Sequence, residues 1–201
     1  MSSNPENTQA LNSNQSNREP HVCPWWVAYL FDNPIRRLVH PADKLLGAYV
    51  KPGMRVMDFG CGFGHFSLGM AKLVHEIGVV YAVDIQEKML VKTRKRAARS
   101  GLDRIIKAVK CQSQSTGVDD QLDFILACNA LHETPNPEMT LVEFYKLMKP
   151  GGQFLLMEPY GHLKPGEFDE EVALAIKSGF TEVLRPAIRR EMTCLFEVSK
   201  D

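Results

Sequence analysis

The residues with the clearest potential for chemistry in this chain are three alternate glycines and the acids near them. Gly60, Gly62 and Gly64 follow an apolar run that contains Asp58. Because glycine has no Cβ and adopts unusual dihedral angles, such a turn lets a ligand lie against the backbone. The helix expected directly after the turn favours a carboxylate or phosphate near its amino terminus. The stretch therefore predicts a ligand-binding turn.

A second acid indicates which kind of ligand the turn could hold. Asp84 directly follows the next apolar run, and an acid in that place can accept hydrogen bonds from both hydroxyls of a ribose. The dinucleotide pattern GxGxxG is incomplete, because His65 and Ser67 stand where its last glycine would be. The Gly-Lys-Ser/Thr of a phosphate-binding P-loop is also missing. The pattern favours a nucleoside over a dinucleotide or a nucleoside triphosphate.

Polar side chains also follow the fourth and fifth apolar runs. His132 and Glu133 follow the fourth, and Glu158 and Tyr160 follow the fifth. Carboxyl ends of parallel strands share one edge of a sheet, so we expect these side chains at the same edge as the glycine turn. A histidine there could accept a proton near neutral pH, or it could only order the loop. Glu158 could likewise only end its strand, with Pro159 after it.

The elements that must position these residues are an alternating series of strands and helices. Apolar runs predict strands at 55–59, 79–83, 105–109, 122–128, 154–157, 181–188 and 192–198. Helical spacing or helix-capping residues predict helices at 24–49 in short pieces, 66–77, 86–100, 136–149 and about 168–176. The alternation predicts an α/β fold with an open, mostly parallel seven-stranded sheet and helices on both faces. The last two strands are too close for a crossover helix and should form an antiparallel hairpin.

Composition narrows the class of protein. The 201 residues are 44% apolar and 24% charged, and 24 basic residues balance 24 acidic ones, so net charge indicates no polyanionic partner. No apolar run reaches the ~18–20 residues of a membrane span. The five cysteines are widely spaced, which predicts neither a disulfide framework nor a metal site and favours a reducing cytoplasm.

The chain is expected to have three parts. Residues 1–20 are rich in Ser, Asn and Gln and predict a disordered tail, which lacks the apolar core of a signal peptide. Residues 21–50 predict a helical cap over the ligand site. Residues 51–201 form the ligand-binding domain.

Four segments together resemble the class I S-adenosylmethionine (SAM)-dependent methyltransferases. They are VMDFGCGFG (56–64), VVYAVDIQEKML (79–90), LDFILACNALHETP (122–135) and LMKPGGQFLLMEP (147–159), in the family's order and spacing. The resemblance covers roughly Pro41 to the carboxyl terminus. It is closest to small, type-11-like members that act on quinones, lipids, thiols or arsenite. It implies a Rossmann-like fold, SAM as cofactor and S-adenosylhomocysteine as product.

The resemblance also implies roles for residues around the cofactor. Gly60 and Gly62 would lie against the methionine part of SAM, with Asp58 near its ammonium group. Asp84 would bind the ribose hydroxyls, and Ile85 would pack on the adenine.

Four further residues complete this expected set. Gly64 ends the turn, and Cys61 is interpreted as a small residue that does not obstruct the ligand. Asn129 or Ala130 would place a backbone carbonyl near the amino group of SAM. Gln112 is the nearest candidate for the adenine amine, because the family's frequent acid after the third strand is absent.

On the acceptor side, the resemblance implies transfer to a small molecule by in-line displacement. His132 and Glu133 are the catalytic candidates. The expected pocket is lined by Trp26, Tyr29, Glu158 and Tyr160, although core packing of the aromatic residues is an alternative.

Two other functions are compatible with the same motifs. The chain could bind SAM without turnover, as a sensor or partner subunit. It could instead methylate arsenite or a thiol, with Cys23 and Cys128 brought together by the cap.

Nucleic acid is disfavoured as the acceptor. A basic run lies between Lys88 and Lys110, but most such runs are solvated helix faces. The acid-Pro-Pro-aromatic segment of exocyclic-amine methylases is replaced by CNAL at 128–131. The sequence leaves the acceptor's identity and the oligomeric state open.

Overall fold

The alternating apolar runs form the strands of one sheet. A computed structural model describes residues 41–161 and 163–199. Its strands are β1 (Arg55–Phe59), β2 (Val79–Asp84), β3 (Ile106–Lys110), β4 (Leu122–Cys128), β5 (Met148–Pro159), β6 (Thr181–Leu184) and β7 (Glu191–Glu197). Its helices are α1 (Ala42–Leu46), α2 (His65–Val74), α3 (Glu87–Arg99), α4 (Pro137–Leu147) and α5 (Glu167–Lys177), with a 3-10 turn at Leu131–Glu133.

The strand order in the sheet is β3-β2-β1-β4-β5-β7-β6. Strands β1 to β5 run parallel, and β7 lies antiparallel between β5 and β6. The expected fold, a mostly parallel seven-stranded sheet with an antiparallel carboxyl-terminal hairpin, is confirmed.

Both faces of the sheet are buried, as an apolar run without alternation requires. In β4, Phe124 and Leu126 pack into one apolar cluster, whereas Ile125 and Ala127 pack into the cluster on the other face. The strand therefore packs into both apolar clusters, which fixes the position from which the following segment leaves the sheet.

Two strand boundaries differ most from the sequence-based expectation. Strand β5 begins at Met148 and includes the Pro-Gly-Gly segment, because Gly151 N donates to Val198 O at 2.8 Å and Val198 N donates to Gly152 O at 3.0 Å. Strand β6 ends at Leu184, before Pro186, whose missing N–H cannot extend a ladder. The Thr193 hydroxyl donates to Pro186 O instead.

The expected cap can be described only in its last part. The tail at 1–20 and the aromatic residues Trp26 and Tyr29 lie outside the described residues. Helix α1 packs on α2, where Ala42 fills the space that the missing Cβ of Gly69 leaves. Across the described residues, no helix has the length and apolarity needed to cross a membrane.

The sheet's order changes direction between β1 and β4. The chain moves outward from β1 to β2 and β3, then returns to β4 on the other side of β1. In open α/β sheets, ligands bind beyond the carboxyl ends of the strands at such a point. The glycine turn after β1 and the His132 turn after β4 are therefore neighbours.

Candidate functional site

Each of the three positions in the turn is a glycine for a different structural reason. All three have positive φ, of 70° at Gly60, 52° at Gly62 and 74° at Gly64. A Cβ on Gly60 would lie 2.4 Å from the Ala130 Cβ, and one on Gly64 would lie 2.7 Å from Thr93 Cγ2. Among the described residues, a Cβ on Gly62 would meet nothing within 4 Å. Gly60 and Gly64 thus allow the turn to pack on its neighbours, and Gly62 is the glycine beside open space.

Asp84 is joined directly to this turn. Its carboxylate accepts a hydrogen bond from Gly62 N at 2.9 Å and one from Gln86 N at 2.8 Å. Burial raises the pKa of Asp84 to about 6, although both backbone hydrogen bonds oppose that shift. Since a carboxylate has about four acceptor positions, two remain for ligand hydroxyls.

Asp58, which precedes the turn, and Cys61, which lies in it, are both buried. The Ser67 hydroxyl donates to Asp58 Oδ2 at 2.5 Å, which ties β1 to the first turn of α2. Burial raises the pKa of the Cys61 thiol well above its usual value, with the nearby charges of Asp58 and Asp84 adding to it. The Cys61 thiol is therefore protonated at neutral pH and is not an activated nucleophile.

Helix α3 holds the outer side of the turn through two side chains that sequence reasoning missed. Thr93 Oγ1 donates to Gly62 O at 2.9 Å, and Arg96 Nη1 donates to Phe63 O at 2.6 Å. Lys92 Nζ lies 4.3 Å from the centroid of the Phe63 ring. Part of the basic run thus binds the turn, which spacing within the helix alone could not reveal.

The remaining predicted cofactor residues surround the same edge. Ile85 is partly buried against the core that includes Cys111. Gln112 is exposed, and its backbone pairs with Ser115 in a short turn after β3. Asn129 has a positive φ of 57°, and within the described chain its buried Oδ1 accepts no hydrogen bond. An orphaned buried acceptor beside the glycine turn fits a ligand that carries hydrogen-bond donors.

The acceptor-side candidates form a buried histidine–carboxylate cluster. His132 Nδ1 lies 2.7 Å from Glu158 Oε2, and His132 Nε2 lies 4.0 Å from Glu133 Oε1. Burial lowers the pKa of His132, but the hydrogen bond to Glu158 and the charges of Glu158, Glu133 and Glu171 outweigh it and raise the pKa above 6.5. The charge of Glu133 also contributes to the raised pKa of Asp84, so the cluster and the turn share one electrostatic environment.

Glu171, on α5, is the member of this cluster that the sequence did not indicate. Its side chain is 6% exposed, and burial together with the charge of Glu158 raises its pKa to about 8. The only available signal was an acid in an otherwise amphipathic helix, on the face that carries Phe168 and Val172. That pattern is too common to identify a site.

The other predicted pocket residues are placed differently. Glu158 is fully buried and contacts the imidazole, whereas Tyr160 is 67% exposed. Cys128 is buried at the end of β4, and its possible partner Cys23 lies outside the described residues. The arsenite or thiol alternative remains a prediction.

Comparisons with known proteins agree on a family. The sequence model of a family described as "Methyltransferase domain" matches residues 50–193. The "Ubiquinone/menaquinone biosynthesis C-methyltransferase UbiE" of Paraburkholderia xenovorans is 31% identical over 112 residues, which are 55% of this chain and 45% of that protein. The "S-adenosyl-L-methionine-dependent Diels-Alderase iccD" of Talaromyces variabilis is 28% identical over 66% of this chain and 45% of its own length.

The fold is shared with a solved structure described as a SAM-dependent methyltransferase from Aquifex aeolicus. The TM-score is 0.79 at 22% identity, covering 88% of this chain and 100% of that one. The two relatives above are matched over slightly less than half of their length.

Proposed function

The chain belongs to the class I SAM-dependent methyltransferases, a family whose cofactor is SAM, and from that premise we propose that it transfers the methyl group of SAM to a small-molecule acceptor. The relatives are matched over only part of their length, so their names do not identify the acceptor. The proposal therefore rests on the site itself.

One observation carries the proposal. The open glycine turn at Gly62 is hydrogen-bonded to Asp84, the acid that ends the neighbouring strand. This places a ligand-accessible backbone beside a carboxylate with acceptor positions left, which suits a nucleoside with an amino acid attached. The orphaned Asn129 Oδ1 supplies a further acceptor at the same edge, for the ammonium group of SAM.

The residues present fit SAM, and their roles follow from their chemistry. Asp84 would accept hydrogen bonds from the ribose hydroxyls. Gly60 and Gly62 would lie against the methionine part of SAM, and Asp58 would lie near its ammonium group. Ile85 and Gln112 would contact the adenine. These assignments are proposals that await a bound ligand.

Methyl transfer requires little covalent chemistry from the protein. SAM, when bound, supplies a methyl group already activated by a sulfonium. The chain's residues must align the acceptor with that methyl and exclude water. A proton acceptor is needed only when the nucleophile is protonated, and His132, with Glu133 beside it, is the proposed group.

Binding and turnover test this function separately. Calorimetric titration with SAM, S-adenosylhomocysteine and NAD should show binding of the first two and none of NAD. Incubation of methyl-labelled SAM with small-molecule extracts should then yield labelled products. If neither calorimetry nor a competition assay detects SAM binding, the proposal is refuted.

A second function is favoured by one relative. The Talaromyces variabilis protein is named a SAM-dependent Diels-Alderase, so a similar chain uses SAM in a ring-forming reaction. In such a reaction SAM need not be consumed. Product formation from a polyene substrate without S-adenosylhomocysteine release would favour this alternative, and stoichiometric release would exclude it. Tight SAM binding with no product in either assay would favour a sensor or partner subunit.

A further inference from the structure

A buried chain of three ionisable side chains lies behind the acceptor side of the proposed site. His132 follows β4, Glu158 stands near the end of β5 and Glu171 projects from α5. Glu158 is 0% exposed and Glu171 is 6% exposed, whereas the side chain of His132 keeps 15%. His132 is therefore the least buried of the three side chains, although its Nε2 atom has almost no exposed surface of its own.

The geometry assigns the proton between His132 and Glu158. Nδ1 and Oε2 are 2.7 Å apart, and an ionised carboxylate only accepts hydrogen bonds. The proton must therefore reside on Nδ1, and in a neutral imidazole Nε2 then carries the lone pair. A histidine fixed in this way by a buried carboxylate has one tautomer and one ring orientation.

Glu171 is the second carboxyl group buried in this cluster. In the described part of the chain, Glu158 Oε1 and Glu171 Oε2 are both buried and accept no hydrogen bond. Two neighbouring buried carboxylates repel each other, so one of them retains its proton. Burial and the charge of Glu158 raise the pKa of Glu171 to about 8, so Glu171 is the protonated member, and Glu158 is the carboxyl group that contacts the imidazole.

We propose that Glu158 is a positioning residue that fixes His132 with Nε2 as the proton-accepting atom, and that the methyl acceptor is a protic oxygen or nitrogen nucleophile. The substrate class rests on the proposed function, whereas the role of Glu158 does not. The step balances. The O–H or N–H proton passes to Nε2 as the nucleophile bonds to the methyl carbon, and the carbon–sulfur bonding pair stays on sulfur. The imidazolium that forms is paired with the Glu158 carboxylate.

Three carboxyl groups act on the charge of this histidine. Glu133 lies on its own turn, Glu158 on β5 and Glu171 on α5. Glu158 is the only one of the three for which the structure gives a hydrogen bond to the ring. Removing the charge of Glu158 should therefore lower the pKa of His132 more than removing the charge of Glu133 or Glu171 would.

The first test uses the unaltered protein and requires no turnover. Ring nitrogen-15 chemical shifts of His132 at high pH should identify the tautomer with the proton on Nδ1. The opposite tautomer, with the proton on Nε2, would overturn the proposal even if SAM binds and is consumed.

The second test removes the charge of Glu158 and keeps its shape. In Glu158→Gln, the titration midpoint of His132 should fall by about one pH unit. With a hydroxyl or amine acceptor, kcat should fall about tenfold or more, while the Kd for SAM stays within about twofold. The matched control is Glu138→Gln, a partly exposed glutamate that pairs with Lys177, and it should change neither quantity.

The outcomes separate the two proposals. An unchanged His132 midpoint in folded Glu158→Gln would overturn the positioning role. If SAM affinity in that variant falls as much as kcat does, the positioning role would also be overturned, because such a result would indicate a structural role. If SAM does not bind the parent protein, the proposed function fails, yet the nitrogen-15 result still decides the tautomer. Sustained methylation of only carbon or sulfide acceptors would overturn the substrate class.

Discussion

At the scale of single residues, Gly62 and Asp84 have different roles in the same proposed site. Gly62 offers open space on one side and donates its N–H to Asp84. Asp84 therefore orders the turn and, in the proposed function, binds the ribose. A residue with both roles should affect ligand affinity through its ionisation state.

We predict that SAM affinity falls as the pH is lowered through about 6. Burial raises the pKa of Asp84 to about 6, and the protonated form accepts fewer hydrogen bonds than the carboxylate. In Asp84→Asn, affinity should be weaker by about 1–3 kcal/mol at pH 7.5 and should lose this pH dependence. Calorimetric titration from pH 5 to 8 measures both. A wild-type affinity that is flat over this range would contradict the prediction.

Gly62→Ala should reduce SAM affinity much more than it reduces stability. Its positive φ costs an alanine about 1–2 kcal/mol, but the new methyl meets no atom of the residues that the structure describes and would enter the space proposed for the ligand. We expect a loss of affinity of about tenfold or more, from parallel calorimetry and thermal unfolding. Gly101→Ala is the matched control, since Gly101 also has a positive φ and open surroundings. Equal affinities for the two variants would remove Gly62 from the site.

At the scale of elements, α3 positions the glycine turn from outside. Thr93 and Arg96 donate to two successive carbonyls of the turn, and the Thr93 methyl occupies the space that Gly64 leaves. The helix is thus both a layer of the fold and a support for the site. Its basic residues have intramolecular roles that a charge count cannot show.

Thr93→Val should weaken SAM binding while Thr93→Ser should not. Valine keeps the methyl beside Gly64 but leaves Gly62 O without its donor, which costs about 0.5–1.5 kcal/mol. A threefold to tenfold rise in Kd corresponds to roughly that range. Serine keeps the donor and loses packing, so its melting temperature should fall with nearly normal affinity. The prediction fails if both variants bind SAM equally well.

At the scale of the whole molecule, burying an acid cluster between the sheet and α5 makes stability depend on pH. Glu171 has a raised pKa of about 8 in the fold, against 4.5 for an unperturbed glutamate. The folded state therefore binds more protons than the unfolded state between these values. The resulting contribution is favourable at low pH and is lost as the pH rises towards 8.

Glu171→Gln should accordingly be more stable than the parent protein at pH 8.5 and nearly equal at pH 5. The neutral amide removes the cost of ionising a buried group, by roughly 1–3 kcal/mol. Urea unfolding at the two pH values measures the difference. Glu170→Gln, at an exposed neighbouring position, is the control and should show no such pH-dependent gain. Parallel pH profiles for Glu171→Gln and the parent would disprove the argument.

Sequence patterns predicted most of the fold, and the sheet edge at which the proposed site lies, because both depend on local spacing. Apolar runs predicted the seven strands, and turn glycines with acids at strand ends predicted the edge at which Gly62 and Asp84 meet. The exceptions were boundaries. Backbone hydrogen bonds that Val198 accepts from Gly151 and donates to Gly152 extended β5 through residues that usually break a strand.

The sequence by itself thus determined the class of fold, the family and the sheet edge at which the proposed site lies, because hydrophobic period and glycine placement act over a few neighbouring residues. Only the tertiary structure decided which of the three glycines faces open space. It alone joined Thr93 to the turn, and His132 to Glu158 and the buried Glu171. These contacts link residues about 25 to 40 positions apart. Their distances, burial and hydrogen bonds arise only when the sheet order brings separate strands and helices together.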